Sequence, residues 1–234
     1  MPGSTDGGRT AGWREYAVRA LWVLPVVIAL AGYRWIGLHT EATGIAWTIR
    51  LPLDDRIPFV SGFVYPYYFW YLYSYGAILL LMLRVDGRHT YRRYVFAMFL
   101  ALLVALVVFV VLPTTVLRPD IPGDHLAARM VRRLYAVDPP YNCLPSIHVA
   151  FSVLTALAFD RLLRSKARWH PVMRGAGRIA NLVAAVLICL STLFIKQHYS
   201  PDLFAGIAVA LAADYGSRTI LIANERSRAG KNTA

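Results

Sequence analysis

Charged side chains, and acidic ones above all, are scarce in this chain. Only 16% of its 234 residues are charged, with 13 acidic against 25 basic residues. Four stretches, residues 57–83, 94–112, 141–159 and 179–195, contain no Asp, Glu, Lys or Arg. This shortage excludes an ordinary soluble domain, whose surface needs many charges. Because about 20 apolar helical residues cross the hydrocarbon core, the sequence predicts a polytopic membrane protein.

Cysteine is almost missing as well. Cys143 and Cys189 are too few for a disulfide framework. Neither is spaced from a His or another Cys in the way that metal ligands are. The sequence therefore predicts no metal site and no cofactor.

The expected fold class is all-α, with six transmembrane helices. The weaker spans are the first, where Arg19 and Arg34 must reach the interfaces, and the last, where Asp214 must lie near one. The first span lacks a small-residue cleavage site and is interpreted as a retained helix. A membrane domain at 17–223 is expected between tails at 1–16 and 224–234, with spans at 17–38, 57–83, 94–112, 145–163, 179–195 and 201–223.

Basic residues are concentrated in alternate connections. Arginines are frequent in the loop at 84–93 and, with one lysine, at 161–178, as well as near both termini. Cytoplasmic loops are rich in Lys and Arg, so these segments are expected inside and the connections at 38–57, 113–146 and 196–202 outside. The predicted location is the plasma membrane with both termini cytoplasmic. The net charge of +12 then describes orientation in a bilayer rather than nucleic-acid binding.

Three polar residues are close together between the last two apolar runs. Lys196, His198 and Asp202 occur in Ile-Lys-Gln-His-Tyr-Ser-Pro-Asp-Leu, residues 195–203. Ser200 is interpreted as the N-cap of the sixth helix. Residues four apart at a helix start are neighbours, so His198 and Asp202 are expected to meet.

A second outward segment, Tyr-Asn-Cys-Leu-Pro-Ser-Ile-His at 141–148, opens the fourth span at the same level. Pro145 and Ser146 indicate the helix start and place His148 in the first turn. A helix N-terminus offers unpaired amide donors and a positive dipole, which suit an anion. Arg118, in the preceding outward loop, adds a planar guanidinium.

This combination of groups suits phosphoryl transfer. His198, with one ring nitrogen held by Asp202, is the predicted nucleophile, and His148 is the predicted acid and base. A surface His–Asp pair, a simple helix cap and an interfacial anchor are the alternatives for the individual residues. Two histidines from separate helices at one face favour a functional site. The groups expected to bind the phosphate are Arg118, Ser146 and Lys196.

Two of these segments resemble motifs of the type 2 phosphatidic acid phosphatase superfamily. They are Pro145-Ser146-Ile147-His148 and His198-Tyr199-Ser200-Pro201-Asp202, against Pro-Ser-Gly-His and Ser-Arg-x5-His-x3-Asp. The resemblance covers roughly residues 111–206. It implies a six-helix membrane core and a metal-independent phosphohistidine mechanism, with His198 and Asp202 as the nucleophilic pair and His148 as the acid/base.

The chain departs from the family pattern at two cations. Val111 stands at the Lys of Lys-x6-Arg-Pro, and Thr192 stands at the Arg of the third motif. Lys196 is expected to replace one of them. The pattern is closer to the branch of inositol phosphorylceramide synthases and sphingomyelin synthases, whose His-Tyr-Ser/Thr-x-Asp signature is similar to residues 198–202. The aromatic run at residues 66–71 is interpreted as an interfacial belt rather than as part of a ligand pocket.

The predicted function is that of a lipid phosphoesterase or phosphotransferase. It is expected to cleave a phospholipid or lipid phosphate on the extracytoplasmic face and to pass the phospho-group to a lipid alcohol or to water. The alternatives are a plain lipid-phosphate or polyprenyl-diphosphate phosphatase and a non-catalytic transporter or scaffold. A transporter needs polar residues at mid-membrane depth. The spans offer mainly Ser74, Ser152, Thr155 and Asn181, so catalysis is favoured.

Overall fold

The computed structural model describes residues 12–84, 88–166 and 169–231, and in these segments the regular structure is helical, with only two isolated β-bridges. The predicted tail residues 1–11 and 232–234 lie outside the described residues. A 3₁₀ turn spans Ser61–Phe63. The helices are α1 Trp13–Thr43, α2 Pro52–Arg56, α3 Val64–Leu83, α4 Arg88–Val111, α5 Leu126–Val137, α6 Ile147–Ser165, α7 Pro171–Phe194 and α8 Ser200–Lys231.

Six of these helices, α1, α3, α4, α6, α7 and α8, correspond to the predicted spans. Four are long and apolar enough to cross a membrane: Trp13–Thr43, Arg88–Val111, Pro171–Phe194 and Ser200–Ser227. Helix α3 is uncharged, but its many tyrosines lower its mean hydropathy. Helix α6 carries three charges, at residues 160, 161 and 164. The all-helical membrane character is thus supported, whereas the count of six spans stays a prediction.

Helices α4 and α6 form the centre of the bundle. Helix α6 packs against α3, α4, α7 and α8, and α4 also packs against α1 and α8. Ala97, Ala101 and Ala105 recur every fourth residue along α4 and are all buried. Small residues at this spacing let neighbouring helices approach closely.

Polar side chains inside the bundle connect its helices. The Tyr94 hydroxyl lies 2.7 Å from Thr155 Oγ1, which joins α4 to α6. Asn181 Nδ2 donates to the Ala156 carbonyl at 2.9 Å, and the Tyr73 hydroxyl donates to Asn181 Oδ1 at 2.7 Å. These bonds fix α3, α6 and α7 relative to one another. Tyr94, Thr155 and Asn181 therefore satisfy their polar groups within the protein.

An ion-pair cluster holds the opposite end of the bundle from the histidines. Asp214 of α8 accepts from Arg93 of α4 at 2.6 Å and from Arg161 of α6 at 2.5 Å. Twelve residues of helix separate Asp214 from Asp202, which is about 18 Å along α8. Because the carboxylate has two cationic partners, a charge in this apolar helix is neutralised.

The connections predicted as outward loops contain folded structure. Helix α5 is amphipathic, and its buried face includes Val131 and Leu134. That face packs with Val64 and Tyr67 from the start of α3 and with Ile195 after α7. The 113–146 connection is therefore held against the end of the bundle where both histidines lie.

Candidate active site

The start of α6 is held by side chains and backbone together. Ser146 is the N-cap, and its Oγ accepts from the Val149 N–H at 3.3 Å. A cis Leu144–Pro145 bond precedes it. The Thr114 Oγ1 accepts from the N–H groups of residues 143 and 144 at 3.1 and 2.9 Å. This arrangement places His148 in the first turn, as predicted.

The start of α8 brings a histidine and a carboxylate together. His198 Nδ1 lies 3.3 Å from Asp202 Oδ2, which also accepts from the Tyr199 N–H at 3.0 Å. Helix α8 begins at Ser200 itself, so the interpretation of Ser200 as a cap residue is wrong. Its N–H and hydroxyl instead donate to the buried Asp54 carboxylate at 2.7 and 3.0 Å.

The two helix starts are in direct contact. The Ser146 N–H donates to the Asp202 carbonyl at 3.1 Å. A Cβ on Gly206 would lie 2.6 Å from the Ser146 carbonyl oxygen, so only glycine permits this approach. As a result, the ring centroids of His148 and His198 are 5.7 Å apart.

Two aromatic side chains of α3 enclose His148. The Tyr67 hydroxyl lies 2.8 Å from His148 Nε2, and Trp70 Nε1 donates to the His148 carbonyl at 3.0 Å. Both aromatic residues are buried, whereas Phe69 and Tyr71 of the same run are exposed. The interpretation of the run as an interfacial belt is therefore wrong for Tyr67 and Trp70. In the sequence, only their three-residue spacing, which places both on one face of a helix, could have indicated that they pack together.

A second layer of polar residues, not predicted from the sequence, lies behind Tyr67. Asp138 Oδ2 accepts from the Tyr67 hydroxyl and from Gln197 Nε2, each at 3.4 Å. Burial raises the pKa of the Asp138 carboxyl, and Arg118 opposes that shift. Arg118 donates to the carbonyls of Tyr135 and Asp138 at 3.0 and 2.7 Å, and also to Gln197 Oε1. The guanidinium thus joins the site through protein acceptors.

Lys196 lies at the edge of the site with a left-handed backbone φ of 53°. Its Nζ donates to the carbonyls of Ile57 and Asp54 at 2.5 and 3.2 Å. A cleft of about 390 Å³ is lined by Lys196, Arg118 and Arg50 together with Tyr199. The Lys196 ammonium is hydrogen-bonded to loop carbonyls, and phosphate binding by this residue stays a prediction.

The two positions where the family pattern has cations are not equivalent in the structure. Val111 ends α4 with 78% of its surface exposed. Thr192 is buried, and its carbonyl accepts from the N–H groups of Gln197 and His198 at 2.9 and 3.0 Å. Thr192 therefore positions the His198 backbone without supplying a charge.

Within the part of the chain that the structure describes, one group of possible metal ligands lies at the site. Ligand atoms of Cys143, His198 and Asp202 are within 4.8 Å of one another. Sequence spacing did not indicate this cluster, because Cys143 is brought to it by the fold. Burial, with the charge of Asp202, raises the pKa of the Cys143 thiol well above its ordinary range. A metal ion here would have to displace the thiol proton, because cysteine binds metals as the thiolate.

A family model described as PAP2 superfamily matches residues 34–215. This range contains every candidate site residue described above. A search of curated proteins finds no match.

Proposed function

The chain belongs to the PAP2 superfamily, and on that basis we propose that it is a lipid phosphatase or phosphotransferase whose reaction passes through a phosphohistidine at His198. Membership of the superfamily suggests a phosphatase or phosphotransferase acting on lipids. The observation that supports the chemical assignment is the contact of His198 Nδ1 with Asp202 beside His148.

His198 is the proposed nucleophile because Asp202 engages Nδ1 and leaves Nε2 for attack on phosphorus. A new N–P bond forms while the bond from phosphorus to the lipid oxygen breaks. The Asp202 carboxylate stabilises the positive charge that the imidazole acquires, as the third member of a catalytic triad does. Its second contact, with the Tyr199 N–H, fixes its orientation.

His148 is the proposed acid and base. Its Nδ1 is buried without a partner, whereas Nε2 contacts the Tyr67 hydroxyl. As the acid, His148 is the imidazolium: Nε2–H donates to the Tyr67 oxygen, whose own proton is directed to Asp138, and the Nδ1 proton can pass to the departing oxygen and leave a neutral ring. The same nitrogen then takes the proton of the incoming alcohol or water. The oxygen of that acceptor attacks phosphorus, and the N–P bond to His198 breaks.

We place transfer from a phosphodiester donor ahead of plain hydrolysis. Arg118 and Lys196 already donate to protein carbonyls, and Val111 and Thr192 carry no charge. A dianionic monoester needs more compensating cations than a monoanionic diester does. A lipid alcohol confined to the bilayer reaches the intermediate at high effective concentration. These properties favour a reaction like that of inositol phosphorylceramide synthases.

Plain lipid-phosphate or polyprenyl-diphosphate phosphatase activity is the second candidate. The cleft lined by Arg50, Arg118 and Lys196 favours it, because three cations face one opening. Arg50 is paired with Asp55 at 3.0 Å, which reduces the charge available to a phosphate. Release of free phosphate from phosphatidate much faster than consumption of any phosphodiester, without an effect of lipid alcohols, would identify this second function.

The proposed orientation places the site on the extracytoplasmic face of the plasma membrane. It is tested with single cysteines introduced for Asp124, in the connection before α5, and for Arg164, in the last turn of α6, both of which are largely exposed. On intact cells, an impermeant thiol reagent should label position 124 and leave position 164 unlabelled. The reverse result would place the site inside the cell.

Activity itself is tested with purified protein on a panel of lipid phosphates and phosphodiesters, with and without lipid alcohols. His148→Ala, His198→Ala and Asp202→Asn should each lower turnover at least about 10²-fold. His39→Ala, an exposed histidine, is the matched control and should retain activity. The metal-free proposal predicts full activity in EDTA and inhibition by vanadate. Strict metal dependence would instead direct attention to the Cys143 cluster.

A further inference from the structure

A basic pocket lies at the end of the bundle away from the two catalytic histidines. It has a volume of about 560 Å³ and is formed where the first turns of α1 and α4 lie side by side. Both helices contribute the positive end of their dipoles there. Its lining residues are Arg14, Glu15, Val18, Arg19, Trp22, Arg88 and Arg92.

An apolar groove continues directly from this pocket towards the middle of the bundle. It has a volume of about 420 Å³ and shares Val18 and Trp22 with the basic pocket. Pro25 of α1 and Phe99 of α4 line it further along. Pro25 is 11 residues from Arg14 along α1, and Phe99 is 11 residues from Arg88 along α4. Each separation corresponds to about 16 Å of helix. The cavity lining therefore changes from cationic at the helix starts to apolar further along the helices. A phospholipid has the same order of groups from its headgroup to its acyl chains.

The charges in the pocket are only partly compensated. Glu15 accepts from Arg88 at 2.5 Å and also from Arg19. Arg14 and Arg92 have no carboxylate partner among the described residues. The guanidinium of Arg92 instead lies 4.8 Å from the Trp22 ring, and its Nε is buried without a hydrogen-bond acceptor. Arg19 is only 3% exposed, and its Nε also lacks an acceptor.

This pocket is separate from the catalytic groups. Helix α4 runs for 24 residues from Arg88 to Val111, which is about 36 Å. The chain just beyond its far end reaches Thr114, whose hydroxyl holds the segment before α6. A ligand at the start of α4 therefore does not contact His148 or His198.

We propose that this cavity binds one anionic glycerophospholipid from the leaflet on the arginine-rich side. Its phosphate lies between Arg14 and Arg92, and one acyl chain lies in the groove past Val18 and Trp22. Basic pockets between helices on this side of a membrane are suited to anionic headgroups, and a tryptophan is suited to the same depth. This lipid is a bound partner of the bundle and is not consumed by the reaction.

The test is lipid binding by the purified full chain, measured by native mass spectrometry and by thermal stabilisation. Phosphatidylglycerol should bind saturably with one molecule at this site, and phosphatidylcholine should bind more weakly. Neutralising one guanidinium should lower the affinity about 5-fold, and Arg14→Gln combined with Arg92→Gln about 25-fold. The corresponding double lysine variant should retain most of the binding, because it preserves both charges.

Three control variants distinguish lipid binding in this cavity from binding elsewhere on the protein. Arg218→Gln removes an exposed arginine from the same end of the bundle and should leave binding unchanged. Val18→Trp, at the junction of pocket and groove, should weaken the lipid but not soluble glycerol phosphate. His148→Ala should leave this lipid bound. Equal loss in Arg218→Gln, equal binding of both lipids, or loss in His148→Ala instead of the arginine pair would overturn the proposal, whatever the enzyme's activity.

Discussion

Gly206→Ala tests whether the contact between α6 and α8 sets the geometry of the two histidines. A Cβ at this position would lie 2.6 Å from the Ser146 carbonyl oxygen and 3.0 Å from Val149 Cβ. Ordinary contacts begin at 3.4 Å, so the two helix starts must separate by about 0.8 Å. Backbone cannot rotate aside as a flexible side chain can. This separation would lengthen the hydrogen bond from the Ser146 N–H to the Asp202 carbonyl, which joins the two helix starts.

Two opposing effects decide the size of the stability change. Overpacking costs about 1–3 kcal/mol. Alanine gains about 0.5–1 kcal/mol over glycine in a helix interior. The net loss in the free energy of unfolding is therefore between about zero and about 2.5 kcal/mol. Activity should fall much further, because misplacing reacting groups by about 1 Å lowers the rate about 10²-fold.

Gly216→Ala on the same helix is the matched control. Its Cβ would meet Leu100 Cδ1 of α4 at an ordinary 3.7 Å. It should be neutral or slightly stabilising and should retain full turnover. The assay is phosphoester turnover in detergent together with the thermal midpoint of each variant. If Gly206→Ala matched Gly216→Ala in both measurements, the close contact would not position the site.

Three further substitutions test individual contacts. Tyr67→Phe should lower kcat about 10-fold with little change in KM, because His148 Nε2 loses its partner; an unchanged kcat would show that the hydroxyl has no part in catalysis. Thr114→Val should lower the thermal midpoint by several degrees, because two N–H groups lose their acceptor at about 1–3 kcal/mol each; full stability would mean that water replaces the hydroxyl. Asp138→Asn tests a pH dependence: since burial raises the folded-state pKa of this carboxyl, its ionisation opposes folding. The protonated Asp138 carboxyl should stabilise the fold below the unfolded-state pKa of about 3.9, and this contribution should be lost as the pH rises through the folded-state pKa. The free energy of unfolding, measured across pH, should show this loss in the wild type but not in Asp138→Asn.

The meeting of the catalytic candidates could be predicted because the signals for it are local. The four-residue spacing of His198 and Asp202 brings them together at any helix start. The Pro-Ser pair before His148 marked the start of α6. A basic bias placed both starts at the same face. Those three patterns need no knowledge of how the helices pack.

The residues that support the site could not be predicted in this way. Tyr67 is 81 residues from His148, and Asp54 is 146 residues from Ser200. Asp138 lies in a connection that was predicted to be outward and contains no motif of its own. Their contacts depend on how α3, α5 and α2 pack around the two helix starts, and no local periodicity reports that packing. For the same reason Cys143 was not linked to His198.

The most direct test of a phosphohistidine at His198 is to trap the enzyme during turnover. The purified protein is mixed with a labelled lipid phosphoester, denatured in base, where phosphohistidine survives, and analysed by peptide mass spectrometry. We expect a phospho-adduct on His198 that is lost in acid and is missing in His198→Ala. Turnover without any adduct, or an adduct on another residue that persists in His198→Ala, would contradict this mechanism.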